Sequence, residues 1–347
     1  MKAAVLHGYD EALAGETFVK YEDVPDPKIV SPTDVIVRIG GAGVCRTDLH
    51  IVEGVWRGLV EVEFPHIMGH ENAGWVEEVG AGVNSVKVGD PVIVHPLVTS
   101  GYCLACRRGN DMHAEDSSFP GINADGGYAE YLATGERALI KLPESLAPKD
   151  VAPYTDAGLT AYRAAKKAAG HLVPGEYAVM IGAGGLGHIG IQSLAALSPA
   201  EIIVIDKSDL ALGLAKESGA HHTIKADGNE TEAVLELTKG LGAEAVIDFV
   251  GEGGSIEKGL AMTRNAGSYY IVGYGGKIEI PAIEMIITEK TIVGNLVGTY
   301  AELVELMALA DRGLVNLATK EYKLADANQA LHDLHAGIVK GRAVLIP

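Results

Sequence analysis

Cysteine and histidine are scarce in this chain, so their positions carry information: 3 cysteines and 12 histidines among 347 residues. Cys45 stands in Gly43-Val44-Cys45-Arg46-Thr47-Asp48, with His50 just beyond, and His70 stands in Gly69-His70-Glu71 ahead of an apolar run. Thiolate and imidazole both bind zinc, which then needs one more protein ligand and an open position for water or substrate. Spacing alone leaves open whether Cys45 and His70 meet or are ordinary buried side chains. Cys103 and Cys106 form a separate Cys-x-x-Cys pair, readable as a redox motif or as half a metal finger.

A second chemistry lies between residues 177 and 206. Tyr177–Ile181 reads as a strand and runs directly into Gly182-Ala183-Gly184-Gly185-Leu186-Gly187. In a strand–turn–helix setting, Gly182 permits the tight turn, Gly184 lets backbone approach a pyrophosphate, and Gly187 permits close helix–strand packing. The helix start around Gly185 and Leu186 then offers unpaired N–H groups to phosphate. The next strand ends at Asp206, 19 residues beyond Gly187. A carboxylate there accepts hydrogen bonds from both adenosine ribose hydroxyls and repels a 2′-phosphate, which favours NAD over NADP. Lys207 pulls slightly the other way, since a cation accepts phosphate. A chain with 44 glycines generates near matches to this pattern by chance; the flanking strand, helix and acid make this one specific. His188, inside the helix start, reads as a packed or capping histidine rather than a catalytic one.

These residues need scaffolds. A chain this long exceeds the size at which one core stops growing, so two domains are expected. The first half holds short β-like runs broken by Gly and Pro, among them Val35–Ile39, Ala73–Val79 and Pro91–His95, the spacing of a barrel-like domain. Val98–Gly127 is polar and irregular, a long loop or lobe. From about Thr155 the rhythm changes: helix Asp156–Ala169, strand Tyr177–Ile181, helix Gly185–Leu197, strand Glu201–Ile205, helix Leu210–Ser218, and so on through strand Ser268–Val272 to an edge strand at Thr291–Val293. That alternation predicts a doubly wound parallel sheet with right-handed crossovers. Tyr300–Ala310 resumes helical spacing, and Arg342–Ile346 reads as a strand returning to the first domain.

Acidic residues outnumber basic ones by 46 to 28, a formal charge of −18. A field of that sign disfavours nucleic acid and anionic membrane as partners. The chain has no apolar run of transmembrane length, no signal-like start and no disulfide framework, which together predict a cytoplasmic protein in a reducing setting.

Taken jointly, Gly43-Val-Cys-Arg-Thr-Asp, Gly69-His-Glu and Gly182-Ala-Gly-Gly-Leu-Gly-His resemble the zinc-dependent medium-chain alcohol dehydrogenases, near the bacterial NAD-dependent secondary alcohol dehydrogenases. The likeness extends from Met1 to Pro347. It implies an α/β fold with a GroES-like β-barrel-type catalytic domain (residues 1–153 and 296–347) and a Rossmann NAD-binding domain (residues 154–295), with zinc in the cleft between them. Carried over by residue, Cys45 and His70 become zinc ligands. The third ligand falls in Tyr154-Thr155-Asp156-Ala157-Gly158, where the secondary-alcohol branch uses aspartate, so the resemblance assigns Asp156; the alternative reading of Asp156 is a helix cap. Glu71 is expected just outside the ligand set, and Asp48 is expected to hold a ligand imidazole in its tautomer. Bound zinc would lower the pKa of an alcohol or polarise a carbonyl. The resemblance routes the proton from Thr47 to a cofactor ribose hydroxyl and on to His50. It brings Arg46 and Arg342 to the cofactor, and Trp56 and Leu296 to the pocket and the cofactor's edge.

Relatives commonly carry a second, structural zinc held by four cysteines. The corresponding positions here are Ser100, Cys103, Cys106 and Ala114, so two thiolates are missing, with His113 and Asp116 as candidate substitutes. The expectation is therefore one catalytic zinc per chain and no structural zinc. The expected function is reversible hydride transfer between NAD and a small or medium alcohol, with secondary alcohols favoured by analogy, in a homodimer or homotetramer. Two enzymatic alternatives are a zinc polyol or sugar-alcohol dehydrogenase and a zinc-free quinone or enoyl reductase. A non-catalytic NAD sensor would leave the metal and relay residues without a common task.

Overall fold

The longest strand of the computed structural model, which describes residues 1–347, is Asp34–Val44. Its Val35, Val37 and Ile39 enter the core of a first unit that comprises Met1–Ala157, Thr299–Asp311 and Leu317–Pro347. The strand is buried almost throughout, Val35, Ile36 and Val37 consecutively, with Arg38 its one exposed residue, as an apolar run covered on both faces should be. The strand is long enough to serve three partners. Tyr131–Gly135 pairs with its first half, Glu71–Val79 runs antiparallel along most of it, and Arg342–Ile346 pairs with its last residues. The full sheet has seven strands, extended by Pro91–Val94 and Leu139–Lys141 on one side and Thr319–Lys323 on the other. A three-stranded sheet of Lys20–Asp23, Lys2–Leu6 and His66–Ile67 completes the strand-rich unit.

The second unit, Gly158–Gly298 with Arg312–Asn316, is built differently. Its six strands are β1 (Tyr177–Ile181), β2 (Glu201–Asp206), β3 (His222–Lys225), β4 (Ala243–Asp248), β5 (Thr263–Ile271) and β6 (Thr291–Gly294). All neighbouring pairs are parallel, in the order β3-β2-β1-β4-β5-β6. The order reverses between β1 and β4, which in such sheets is where a crevice for ligands opens beyond the strand carboxyl ends. β1, β2 and β4 read as continuous apolar runs because helices cover both faces; separate buried clusters lie on the two sides of the sheet. The expected fold class is the one observed.

Local differences from the sequence reading have simple causes. β5 begins at Thr263, directly after the Ser255–Met262 helix, five residues earlier than expected. The helix Ala282–Thr288 was not anticipated: none of its residues is buried, so it has no apolar stripe for periodicity to detect. The main boundaries lie a few residues from those expected, so that Asp156 belongs to the first unit, and Arg312–Asn316, expected in the first domain, groups with the second. No helix is long and apolar enough to cross a membrane.

Candidate metal centre and dinucleotide site

The ladder around Asp34–Val44 gathers the chemistry of the first unit. Ala343 lies opposite Val44, and Gly43 lies opposite both Val344 and Glu71. One end of the sheet therefore holds Cys45 just past one strand, His70 just before the next, Glu71 at its first position and Arg342 at the start of the third. Residues separated by hundreds of positions converge through strand register alone. Gly43 is required at this crossing, because a Cβ there would meet the Glu71 side chain.

Cys45 precedes the Arg46–Glu53 helix, and its N–H donates to the Asp48 carboxylate (Oδ2, 2.7 Å) across the helix start. This reciprocal geometry fixes the first turn. The helix buries Asp48, Leu49, Ile51 and Val52, while Arg46 is exposed and Thr47 and His50 are half-buried. Arg46 and His50 are four residues apart and meet: Arg46 Nε donates to His50 Nε2 at 3.4 Å.

Asp48 is fully buried and multiply engaged. Besides Cys45 N–H, its Oδ2 accepts the Tyr128 hydroxyl at 2.8 Å, and its Oδ1 faces His70 Nδ1 at 3.2 Å. Burial, reinforced by the Asp48 charge, pushes the Tyr128 phenol well above its ordinary range, so it remains a donor. Tyr128 is the residue that sequence reasoning missed. Its only sequence signal is a large polar aromatic flanked by glycine and alanine, and its partner is 80 positions away.

On its other edge, His70 Nε2 lies 3.4 Å from Asp156 Oδ2, and Cys45 Sγ lies 4.0 Å from the same oxygen. Donor atoms of Cys45, His70, Glu71 and Asp156 all fall within 4.8 Å of one another. Tetrahedral zinc with bonds of 2.0–2.3 Å separates its ligands by roughly 3.3–3.8 Å, so the spacing suits that ion. Both ring nitrogens of His70 are buried without a well-aligned hydrogen bond, and a thiol with two carboxylates surrounds one of them. A cation is the chemical partner this set lacks; the residues fit zinc. Burial alone would discharge His70, yet Asp48 and Asp156 hold its pKa well above the ordinary value, which is the electrostatic expression of the same deficit.

Glu71 is in the cluster but already occupied. Oε1 accepts the Ala157 N–H at 2.9 Å, an orphan donor at the start of the Ala157–Ala169 helix, and Oε2 pairs with Arg342. Burial drives the Glu71 carboxyl pKa upward, opposed chiefly by Arg342. Arg342, expected beside a cofactor, is buried, with its guanidinium on Glu71. Burial opposes its charge, but Glu71 more than compensates, and Arg342 stays a cation.

In the second unit the three glycines take three distinct positions. Gly182 has φ +91°, a conformation that side chains disfavour. A Cβ on Gly187 would meet the Gly182 carbonyl, and Gly184 is exposed with open space where a Cβ would lie. Gly185 and Leu186 are half-buried between them, and the helix proper starts at Gly187. His188 is buried with Nδ1 on the Gly184 carbonyl at 2.9 Å, a packing role. Asp206 ends β2 and binds back to the turn: Oδ2 accepts the Ala183 N–H and Oδ1 the Ser208 N–H, each at 2.8 Å. A cavity of about 470 Å³ opens there, lined by Gly182, Asp206, Lys207, Ala226 and Val250 among others. Trp56 packs partly buried against the first unit's core, and Leu296 is exposed on the second.

Comparison with known proteins agrees with both halves. Residues 31–144 match the alcohol dehydrogenase GroES-like domain and residues 185–312 the zinc-binding dehydrogenase domain. The chain is 36% identical over 338 residues to an NAD-dependent alcohol dehydrogenase of Sulfurisphaera tokodaii, covering 95% of this chain and 96% of that protein. It is 34% identical over 354 residues to a D-arabinose 1-dehydrogenase (NADP(+)) of Saccharolobus solfataricus, covering 100% and 97%. The crystal structure of an alcohol dehydrogenase from Aeropyrum pernix superposes with a TM-score of 0.95 at 46% identity over the whole of both chains.

Proposed function

Because this chain belongs to the zinc-dependent medium-chain alcohol dehydrogenases, we propose that it oxidises a small or medium alcohol, preferably secondary, with NAD, and reduces the corresponding carbonyl in reverse. The observation that carries this reading is the buried Cys45–His70–Asp156 set with Asp48 behind the imidazole. Those three side chains are the proposed zinc ligands. When bound, zinc acidifies a substrate hydroxyl or polarises a carbonyl, and NAD accepts or returns the hydride.

The rest is done by the chain's own residues. Asp48 Oδ1, 3.2 Å from His70 Nδ1, favours the proton on that nitrogen and so leaves Nε2 bare on the ligand side. Arg342 and the Ala157 N–H hold both Glu71 oxygens, which keeps that carboxylate beside the ligand set rather than in it. Thr47 and His50 lie on the less buried part of the Arg46–Glu53 helix, and the reading gives them the proton route, with Arg46 next to His50. In the second unit, Gly182, Gly184, Gly185, Leu186 and Gly187 receive the pyrophosphate, while Asp206 and Lys207 border the adenosine cavity. Asp206 is already aligned by two backbone donors, so its carboxylate meets a ribose without reorganisation.

The likeness to a D-arabinose dehydrogenase keeps polyols as the second reading. Ile283, Ile286 and Ile287 are each more than 60% exposed on the Ala282–Thr288 helix, near edge strand β6 in sequence, and this supports a homodimer or a larger assembly of dimers. Three free cysteines support a reducing, cytoplasmic setting.

The test is NAD reduction over primary, secondary and polyhydroxy alcohols, before and after chelation, with metal analysis alongside. Expected are turnover strongest on secondary alcohols, about one zinc per chain, and activity lost with the metal. Activity unchanged after complete metal removal would overturn the mechanism.

A further inference from the structure

The lobe between Val98 and Gly127 retains two cysteines that the proposed reaction does not use. Cys103 is half-buried at the start of a single turn, Leu104–Arg107, and Cys106 is buried within that turn. Their sulfurs are 3.3 Å apart, and the Cys106 N–H donates to Cys103 Sγ at 3.4 Å. The two positions that would complete a four-thiolate zinc are Ser100 and Ala114; Asp116, an exposed carboxylate, comes within ligand range of both sulfurs, while Asp111, on the Cys106 side, is already held by Arg137 and Thr99. Two thiols and one solvated carboxylate are a poor closed zinc site, which ordinarily takes four ligands of nitrogen or sulfur.

We propose that Cys103 and Cys106 form a dithiol centre that exchanges reversibly with low-molecular-weight organic disulfides. Three features of the lobe support it. The sulfurs are already in contact, so ring closure needs only a small displacement. The two thiols are unequal: backbone N–H groups, that of Cys106 first, favour the Cys103 thiolate, whereas burial keeps Cys106 protonated. An accessible nucleophile beside a buried resolving thiol is the division of labour such exchange requires.

The third feature is a rigid seat for Cys106. Arg137 donates to its carbonyl (3.3 Å) and to Asp111 (2.8 Å), and Thr99 donates to the same Asp111 oxygen. A cavity of about 440 Å³, lined by His95, Arg107, Asp111, Arg137 and Tyr300, lies beside Cys106.

The chemistry balances. Cys103 thiolate attacks one sulfur of the organic disulfide, breaks its S–S bond and releases one thiolate. Cys106 loses its proton to solvent and attacks Cys103 Sγ, which forms the internal disulfide and releases the second thiolate. The protein gives up two electrons and two protons; the small disulfide leaves as two thiols. Reduction by dithiothreitol runs the sequence backwards.

Oxidised glutathione is the probe for the full-length, zinc-loaded chain, with intact mass and peptide mapping as readouts. The expected result is loss of two hydrogens in mass, mapped to the peptide joining Cys103 to Cys106, with Cys45 still reduced and the change reversed by dithiothreitol. Cys106→Ser should instead trap one glutathionyl group on Cys103, and Cys103→Ser should block oxidation of the lobe. A glutathionyl group persisting on wild-type Cys103 would overturn the proposal. So would a second zinc per chain that is released by Cys103→Ser and protects the pair from oxidation.

Discussion

Replacing Asp48 with asparagine removes one charge without changing shape, and its effect follows from three contacts. Oδ2 accepts two donors, the Cys45 N–H at 2.7 Å and the Tyr128 hydroxyl at 2.8 Å, while Oδ1 faces His70 Nδ1 at 3.2 Å. In the variant, the amide oxygen must stay where the two donors converge, which turns the NH₂ toward His70. The imidazole can accept from it only by moving its own proton to Nε2, the atom that lies 3.4 Å from Asp156 and that the metal needs bare. Either the contact is lost or the tautomer is wrong. Losses of this kind typically cost 10- to 100-fold in metal affinity, about 1.4–2.7 kcal/mol. Titration of the apo-protein against a chromophoric zinc chelator measures it, with circular dichroism confirming the fold. Tyr128→Phe is the control: it removes one neutral donor to Asp48, costs on the order of 1 kcal/mol in unfolding free energy, and shifts zinc affinity by about threefold or less. Wild-type zinc affinity in Asp48→Asn, or an equal loss in Tyr128→Phe, would refute the orienting role.

Asp206→Ser should raise the KM for NAD by about tenfold and admit NADP, because it removes the charge that repels a 2′-phosphate; steady-state kinetics with both cofactors checks this, and unchanged selectivity counts against the assignment. His66 is buried, and burial depresses its pKa below 6.5, with the Gly121 backbone and then Asp125 opposing only in part. Its contribution to stability is present above pH about 6.5 and lost as the pH falls through the depressed folded value. Denaturant midpoints should therefore decline between about pH 7 and 5, less steeply in His66→Gln; identical slopes would clear His66 of the effect. Asp333 accepts from Lys320, Tyr322 and Gln329, and these partners, Lys320 first, lower its pKa to about 2. Stability from this group persists above pH about 4 and fades toward pH 2. Asp333→Asn should cost about 1–2 kcal/mol at neutral pH by thermal or chemical unfolding, and a neutral variant would show the cluster to be inconsequential.

Much of this was legible from sequence where the signal is local. The strands Tyr177–Ile181 and Arg342–Ile346 have the bounds that pattern and turn residues predict. The glycine turn needed only its own six residues and Asp206. The metal cluster was legible in part, through resemblance, since no spacing rule connects Cys45, His70 and Asp156. What surrounds them was not. Asp48 could be singled out, but its Tyr128 contact arises from sheet register, as does the Glu71–Arg342 pair, whose members are 271 positions apart. The Arg46–Glu53 helix is only eight residues long, too short for an apolar stripe to repeat, and one of its buried residues is the charged Asp48. Edge elements with little burial, such as Thr319–Lys323 and Ala282–Thr288, carry no strong pattern at all.

The return of Arg342–Ile346 to the strand Asp34–Val44 also sets an order in time. During synthesis the strand that completes the Cys45–His70 end of the sheet emerges long after its partners. Closing a loop of 271 residues costs about 3 kcal/mol more in chain entropy than closing one of ten. The second unit lies between the two halves of the first in the chain and closes on itself with short βα connections. If it folds as soon as it emerges, that long tether becomes a short one. The Cys45–His70 end of the sheet would then remain without Arg342 until the last strand arrives, and Glu71 would spend that interval as a carboxylate without its cation.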